Sequence, residues 1–244
     1  MKQQPSSLTG TRALVTGATS GIGQATALAL AARGASVIAV GRDHARCESL
    51  RLELAQAGAG HLVVAGNLSD TEFLSALSTQ ALGFGGGSLD LLVHSAGQHE
   101  PAAVEATTAQ SFDAAITTNL RAPTLLTAAL LPALRAAHGM VVFLNSSIVH
   151  YPRGGVAVYA ASKAGLRTFA DCLRAEVSGH GIRVLSIYPG RTATPMQRER
   201  YEAEGLEYRP ERLMQPEDVA EAVLAAFASR AEVTELSLRP TNKS

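Results

Sequence analysis

Tyr159 and Lys163 stand four residues apart in an Ala-rich stretch, a spacing that puts both on one face of a helix. A free tyrosine titrates near ~10, and a neighbouring positive charge favours the phenolate. Such a pair would bring a hydroxyl into range for proton exchange with a substrate oxygen at neutral pH. Ser146 ends an apolar, strand-like run and offers a second hydroxyl, which would hydrogen-bond that oxygen as negative charge develops on it. Its neighbour Ser147 is a rival; successive strand residues point to opposite faces, so only one of the two is expected to face a cleft.

A second constellation lies near the start of the chain. The run Arg12-Ala13-Leu14-Val15-Thr16 leads into Gly17-Ala18-Thr19-Ser20-Gly21-Ile22-Gly23 and then into an Ala-rich stretch from Gln24. Glycines at a strand-to-helix turn let the backbone approach a phosphate, and the helix start offers unpaired N–H groups and a positive dipole end. This reads as a dinucleotide site, and the missing Lys-Ser/Thr after the last glycine excludes a P-loop. About 20 residues past the glycines, where an acid would accept the adenosine ribose hydroxyl of NAD, the chain has Gly41. Arg42 follows, and a guanidinium there would clamp a 2′-phosphate, so NADP (as NADPH) is expected over NAD, with Asp43 partly neutralising the charge.

The elements that must hold these residues follow from periodicity. Short apolar runs rich in β-branched residues are expected as strands near 11–16, 36–40, 61–65, 89–93, 139–145, 182–187 and 233–238. Helical stretches lie between them near 21–33, 43–57, 70–81, 111–136, 157–179 and 216–229, with Gly34 and Gly179 read as end signals. Strands alternating with helices predict an α/β fold, a parallel sheet covered on both faces. No composition shift divides residues 1–244, so one domain is expected. Gly83 to Gly87 reads as a connection, residues 1–9 as a flexible arm and residues 194–216 as a lid over the substrate.

Together these motifs resemble the short-chain dehydrogenase/reductase family in its compact single-domain branch. The glycine turn has that family's Thr-Gly-x-x-x-Gly-Ile-Gly spacing, Tyr159-Ala160-Ala161-Ser162-Lys163 matches its Tyr-x-x-x-Lys, and Ser146 lies thirteen residues upstream, where its catalytic serine would be. Asn119 matches its helix asparagine, and Pro189-Gly190-Arg191-Thr192-Ala193-Thr194 matches its Pro-Gly turn with a following threonine. The resemblance runs from Thr11 to Pro240. It implies a three-layer Rossmann fold with strand order 3-2-1-4-5-6-7, and a catalytic set of Ser146, Tyr159, Lys163 and Asn119, with Asn119 holding a relay water for Lys163. Cofactor contacts are expected from Gly17, Ser20, Gly21, Ile22, Gly23, Arg42, Asn67, Leu68, Ala96, Gly97, Tyr159, Lys163, Pro189, Gly190, Thr192 and Thr194. Two positions depart from the pattern: Asn67-Leu68 replaces an Asp-hydrophobic pair, and His94-Ser95-Ala96-Gly97 replaces Asn-Asn-Ala-Gly, with His94 read as a structural substitute.

Twenty-one Lys and Arg balance twenty-one Asp and Glu, so no summed field points to nucleic acid or an anionic membrane. Cys47 and Cys172 are read as free, reduced thiols, and no ligand spacing suggests a metal. No signal-peptide core or membrane-length apolar run is present, so a cytoplasmic protein is expected. His99, His150 and Tyr151 follow strand ends and are candidates for the pocket wall. The expected function is an NADP(H)-dependent oxidoreductase interconverting a small-molecule carbonyl and a secondary alcohol, assembled by the resemblance as a homodimer or homotetramer. The alternative is a catalytically inactive dinucleotide-binding sensor or scaffold, which would have no need of the Ser-Tyr-Lys-Asn set. A sugar-nucleotide epimerase or dehydratase would be expected to carry a longer C-terminal substrate domain.

Overall fold

Strand residues that alternate in sequence feed two separate cores, and this is why the strands read as unbroken apolar runs. Ala13, Val15, Val37, Ala39, Leu91 and Val93 pack on one face of the sheet. Leu14, Ile38, Val40 and Leu92 pack on the other. The computed structural model describes residues 7–58, 60–84 and 86–241. It contains seven parallel strands: β1 (Arg12–Thr16), β2 (Ser36–Gly41), β3 (Leu62–Ala65), β4 (Leu91–His94), β5 (Met140–Leu144), β6 (Arg183–Pro189) and β7 (Glu235–Leu238). Their order is β3-β2-β1-β4-β5-β6-β7, that of the Rossmann fold.

Helices α1 (Gly21–Ala31), α2 (His44–Gln56) and α8 (Pro216–Ala228) cover the first core, into which Leu30, Leu50 and Val223 point. Helices α3 (Thr71–Phe84), α5 (Ala122–Ala137) and α6 (Ala157–Val177) cover the second through Leu77, Leu130 and Leu173. Residues 1–6 of the expected arm lie outside the described residues. Leu8 is buried and its N–H donates to the Arg33 carbonyl.

Several elements differ from their expected form. The stretch read as one helix over 111–136 is α4 (Ala109–Ile116), a π-helical turn (Thr117–Arg121) and α5. Pro123 has no N–H to give the carbonyl of its i−4 partner Asn119, and the helix widens there. Gly179 does not end α6. A 3₁₀ turn over Ser178–His180 extends the run, and Gly181, at φ +71°, terminates it. Helix α3 continues through Gly83 to Phe84, taking up part of the expected glycine loop. The 194–216 segment contains a helix unanticipated from periodicity, α7 (Pro195–Ala203), capped by Thr194, whose hydroxyl accepts from the Gln197 N–H at 3.2 Å.

Strand order reverses between β1 and β4, so the crevice opens where their carboxyl ends diverge. The turn after β1 is held by sterics. Gly17 sits at φ +64°, and a Cβ there would lie 2.7 Å from the backbone of Ala96. A Cβ on Gly23 would lie 2.2 Å from the Gly17 carbonyl oxygen. Across the same region His94 braces β4 against α5: its Nε2 is 2.8 Å from the Thr127 hydroxyl and its ring stacks on Phe143.

Two predictions follow from this packing. Gly23→Ala should push the β1–α1 turn open, lowering stability by about 1–3 kcal/mol in urea unfolding and weakening dinucleotide binding in fluorescence titration. Burial pushes the His94 imidazole down to about 3 from an ordinary 6.5. The unfolded chain therefore binds a proton that the folded one refuses, and stability present above 6.5 drains away as pH falls towards 3. Urea unfolding at successive pH values should show wild-type stability falling across that window more steeply than His94→Gln, by up to about 1 kcal/mol per pH unit.

Candidate active site

A cleft of about 920 Å³ crosses the carboxyl ends of the strands, from Arg42 and Arg46 at one end to Tyr151 and Arg200 at the other. Its floor is the turn after β1, where Gly17, Ser20, Gly21 and Ile22 face the opening. Ser20 is the N-cap of α1 but makes no side-chain cap bond, and the first turn carries no acid. The helix start thus keeps its N–H groups and dipole for an external anion. Gly23 does not line the cleft; it allows the helix to pass close over Gly17. The Pro-Gly turn is brought in from the other side: a Cβ on Gly21 would lie 2.9 Å from Thr194, and Pro189, Gly190, Thr192 and Thr194 all line the opening. Ala96 and Gly97, after β4, complete the floor.

Ser146, Tyr159 and Lys163 line one wall. Lys163 is buried, and its Nζ donates to the carbonyl of Leu144, the last residue of β5, at 2.9 Å. Next along the chain, Asn145 donates to the Lys163 carbonyl at 3.2 Å and accepts from the Ser146 N–H at 2.9 Å. The buried Asn145 therefore joins the strand end to α6 and orients the serine. Sequence reasoning passed over it, although a lone amide directly after the apolar run of β5 was the available signal. Asn119 is also buried away from the cleft. Its amide donates to the Gln98 carbonyl at 2.9 Å and to the Ser162 hydroxyl at 3.0 Å, while its oxygen accepts from the Gln98 N–H at 2.8 Å. The Ser162 hydroxyl donates to the Tyr159 carbonyl at 2.7 Å, so the asparagine side chain is a brace for the α6 turn that carries the tyrosine.

Two expectations need correcting. Ser147 was to point away from the cleft, yet it lines the cleft beside Ser146. The alternation argument fails because β5 ends at Leu144 and a 3₁₀ turn, Ser147–Val149, capped by Ser146, begins immediately after. Ser146 remains the serine that bonds towards Tyr159 and lowers its pKa. Lys163 was to be the charge that eases ionisation of Tyr159. Burial instead dominates and raises the phenol, and the cation that pulls it back is Arg200. Lys163 is committed to Leu144, with its Nζ 6.0 Å from the tyrosine ring centre and its own pKa pushed down to about 8 by burial.

At the far end, Arg42 lines the cleft with Arg46, which the sequence reading omitted. The Asp43 carboxylate does not pair with Arg42; it caps α2 by accepting from the Arg46 N–H at 2.9 Å. Gly41 has a steric reason for lacking an acid, since a Cβ there would lie 2.2 Å from Thr19 and 3.0 Å from the Cys47 sulfur. Asn67 and Leu68 line the adjoining wall. The arrangement fits a dinucleotide: the helix N-terminus and the two arginines would meet its anionic part, and Tyr159 and Lys163 lie at the opposite end of the cleft.

His99 lines the cleft, with its ring edge-on to Tyr159 at 4.6 Å between centres, and burial holds its pKa down. Tyr151 lines the cleft as well, whereas His150 packs on Tyr188 outside it. Cys47 is buried and Cys172 exposed, both free. Among the described residues there is no group of three or more His, Cys, Asp or Glu that could hold a metal ion, and no helix is long and apolar enough to cross a membrane.

The geometry agrees with comparisons to known proteins. Residues 11–205 match the short chain dehydrogenase family model. Serine 3-dehydrogenase of Agrobacterium fabrum is 35% identical over 238 residues, covering 95% of this chain and 94% of its own. A metagenomic short-chain oxidoreductase solved in complex with NADP is 32% identical, with a TM-score of 0.83 over 97% of this chain and 100% of that one. An alcohol dehydrogenase from the archaeon Thermococcus sibiricus, solved with 5-hydroxy-NADP, is 25% identical with a TM-score of 0.85, covering 96% of this chain and 98% of that one. With the glycine turn, the Ser-Tyr-Lys wall and the sheet order in place, the chain belongs to the short-chain dehydrogenase family and is an NAD(P)-dependent oxidoreductase.

Proposed function

We propose that the protein uses NADP(H) to interconvert a small-molecule carbonyl and its secondary alcohol, with Tyr159 as the general acid and base. The observation that carries this reading is that Ser146, Tyr159 and Lys163 together line one wall of a cleft whose other end holds Arg42 and Arg46. Bound NADPH supplies the hydride. In the reductive direction Ser146 donates a hydrogen bond to the carbonyl oxygen, and Tyr159 gives that oxygen its phenolic proton as the new C–H bond forms. Lys163, held at about 8, is able to pass a proton back to the phenolate near neutral pH. Asn119 serves through its carbonyl, which Pro123 cannot engage as an α-helical donor and which is the atom offered to a relay water.

Residues 194–216 act as the lid in this reading. The ends of the segment are tied together, Ala193 donating to the Met214 carbonyl at 2.8 Å and Met214 to that of Arg191 at 3.1 Å, while Met196 and Arg200 of α7 line the cleft. We further read the chain as one domain and as a cytoplasmic homo-oligomer, with Phe112 and Leu125 among the apolar side chains that α4 and α5 leave exposed for a second copy.

Two experiments test the reading. A screen of ketones, quinones, sugars and acyl thioesters by NADPH oxidation supplies a substrate. On it, Tyr159→Phe should reduce turnover by about 10²–10⁴-fold while NADPH still binds. Full activity in that variant would remove the tyrosine from the mechanism. Fluorescence titration should show NADPH binding more tightly than NADH, and Arg42→Asp should reverse the order. Equal affinities in the wild type would remove the 2′-phosphate site.

A further inference from the structure

Arg200 lies on α7 with its side chain only 15% exposed, and its Nε donates to the Glu204 carboxylate at 2.9 Å. Arg153, 42% exposed, comes to 3.8 Å from the same Glu204 oxygen. One carboxylate therefore serves two guanidiniums. Arg191, a further guanidinium at this end, donates to the Tyr201 hydroxyl at 3.2 Å and lies over that ring. Glu199 lines the wall, and Glu204 stands behind Arg200. Arg153, Arg191 and Arg200, with Arg239 bonded to Tyr151, outnumber the carboxylates Glu199 and Glu204, so this end of the cleft carries surplus positive charge beside Tyr159.

The neutral polar groups point the same way. Gln197 lines this wall, and its Nε2 is buried with no partner among the described residues. An unmatched donor there calls for an oxygen acceptor. The cations also oppose one another: burial first and then Arg200 lower the pKa of Arg153, Glu204 offsets part of this, and Arg191 adds a smaller repulsion. An entering anion would relieve that repulsion. The dinucleotide phosphates do not need this cluster, since the start of α1 and the Arg42–Arg46 pair lie at the other end of the same cleft.

We propose that the physiological substrate carries a carboxylate beside its carbonyl or alcohol, and that Arg200, assisted by Arg153, receives it and sets the substrate preference. A guanidinium whose Nε is already held presents its remaining N–H groups in a fixed plane, which suits the two oxygens of a carboxylate. This deepens the oxidoreductase reading and rests on it for the carbonyl.

The test uses matched pairs: pyruvate, acetoacetate and levulinate, each against its methyl ester, so that the charge is carried at increasing distance from the carbonyl. At low salt the best acid should be reduced with kcat/KM about 10- to 100-fold above its ester, and the ratio should shrink as salt is added. Arg200→Gln should bring the ratio towards one, Arg200→Lys should keep part of it, and the NADPH dissociation constant should change by less than about threefold. An acid-to-ester ratio of one in the wild type, a ratio unchanged in Arg200→Gln, or a loss of NADPH affinity as large as the loss of acid preference would each overturn the proposal. Calorimetric titration of the enzyme–NADPH complex with succinate and with dimethyl succinate separates the two readings. Succinate binding that Arg200→Gln abolishes, with no carbonyl reduced at all, would keep the anion site and overturn the oxidoreductase assignment. Reduction of neutral ketones with no preference for succinate over its ester would do the reverse.

Discussion

The hydrogen bond from the buried Lys163 ammonium to the carbonyl of Leu144 joins the chemistry to the sheet. A buried charge is costly unless it is paired or hydrogen-bonded, and here the partner is the last carbonyl of a central strand. That bond fixes where α6 lies against β5, and α6 carries Tyr159 one turn before the lysine. Asn145 repeats the tie in the opposite direction by donating to the Lys163 carbonyl. The tyrosine, the serine and the lysine are thereby placed by one strand end and one helix turn rather than by independent loops.

Burial that secures this geometry also works against the reaction. It raises the Tyr159 phenol from an ordinary 10 and lowers the Lys163 ammonium from 10.5 to about 8, so the two proton affinities move apart. A proton then passes downhill from Lys163 to a Tyr159 phenolate, which suits restoring the phenol after it has given up its proton, whereas drawing the proton off the phenol needs positive charge beside it. The positive charge that eases the phenol comes from Arg200 on α7, across the cleft mouth. The α7 segment therefore influences the tyrosine as well as lining the cleft, and a ligand that neutralises Arg200 would alter the phenol.

The fold was legible because a parallel sheet covered on both faces writes itself as apolar runs separated by helical periods, and the glycine turn and Tyr-x-x-x-Lys spacing depend on local geometry alone. The π-turn at Asn119 was not read, although Pro123 four residues on carries its cause. Helix α7 escaped because its polar, Arg- and Glu-rich face has no apolar period; its signal was the Thr194-Pro195 start, a capping residue followed by proline. The expectation that only one of Ser146 and Ser147 faces the cleft failed because strand alternation stops where the strand stops. Arg200 and Arg153 could not be found from spacing, since their chemistry arises only when distant segments converge on one cleft, whereas Arg46 was readable as the residue four after Arg42. Nor could Gly41 be understood beyond its missing acid until Thr19 and Cys47 were seen to press on it.

The central claim is that Tyr159 is held as a neutral phenol by burial and is released for proton exchange by positive charge arriving next to it. ¹³C NMR titration of protein labelled at the tyrosine ζ-carbon, with Tyr159→Phe to assign the resonance, measures this directly. The account predicts that Tyr159 titrates above the ordinary ~10 in the free protein and moves to lower pH when NADP⁺ is added. A titration at or below ~10 in the free protein, or one that NADP⁺ leaves unmoved, would contradict it.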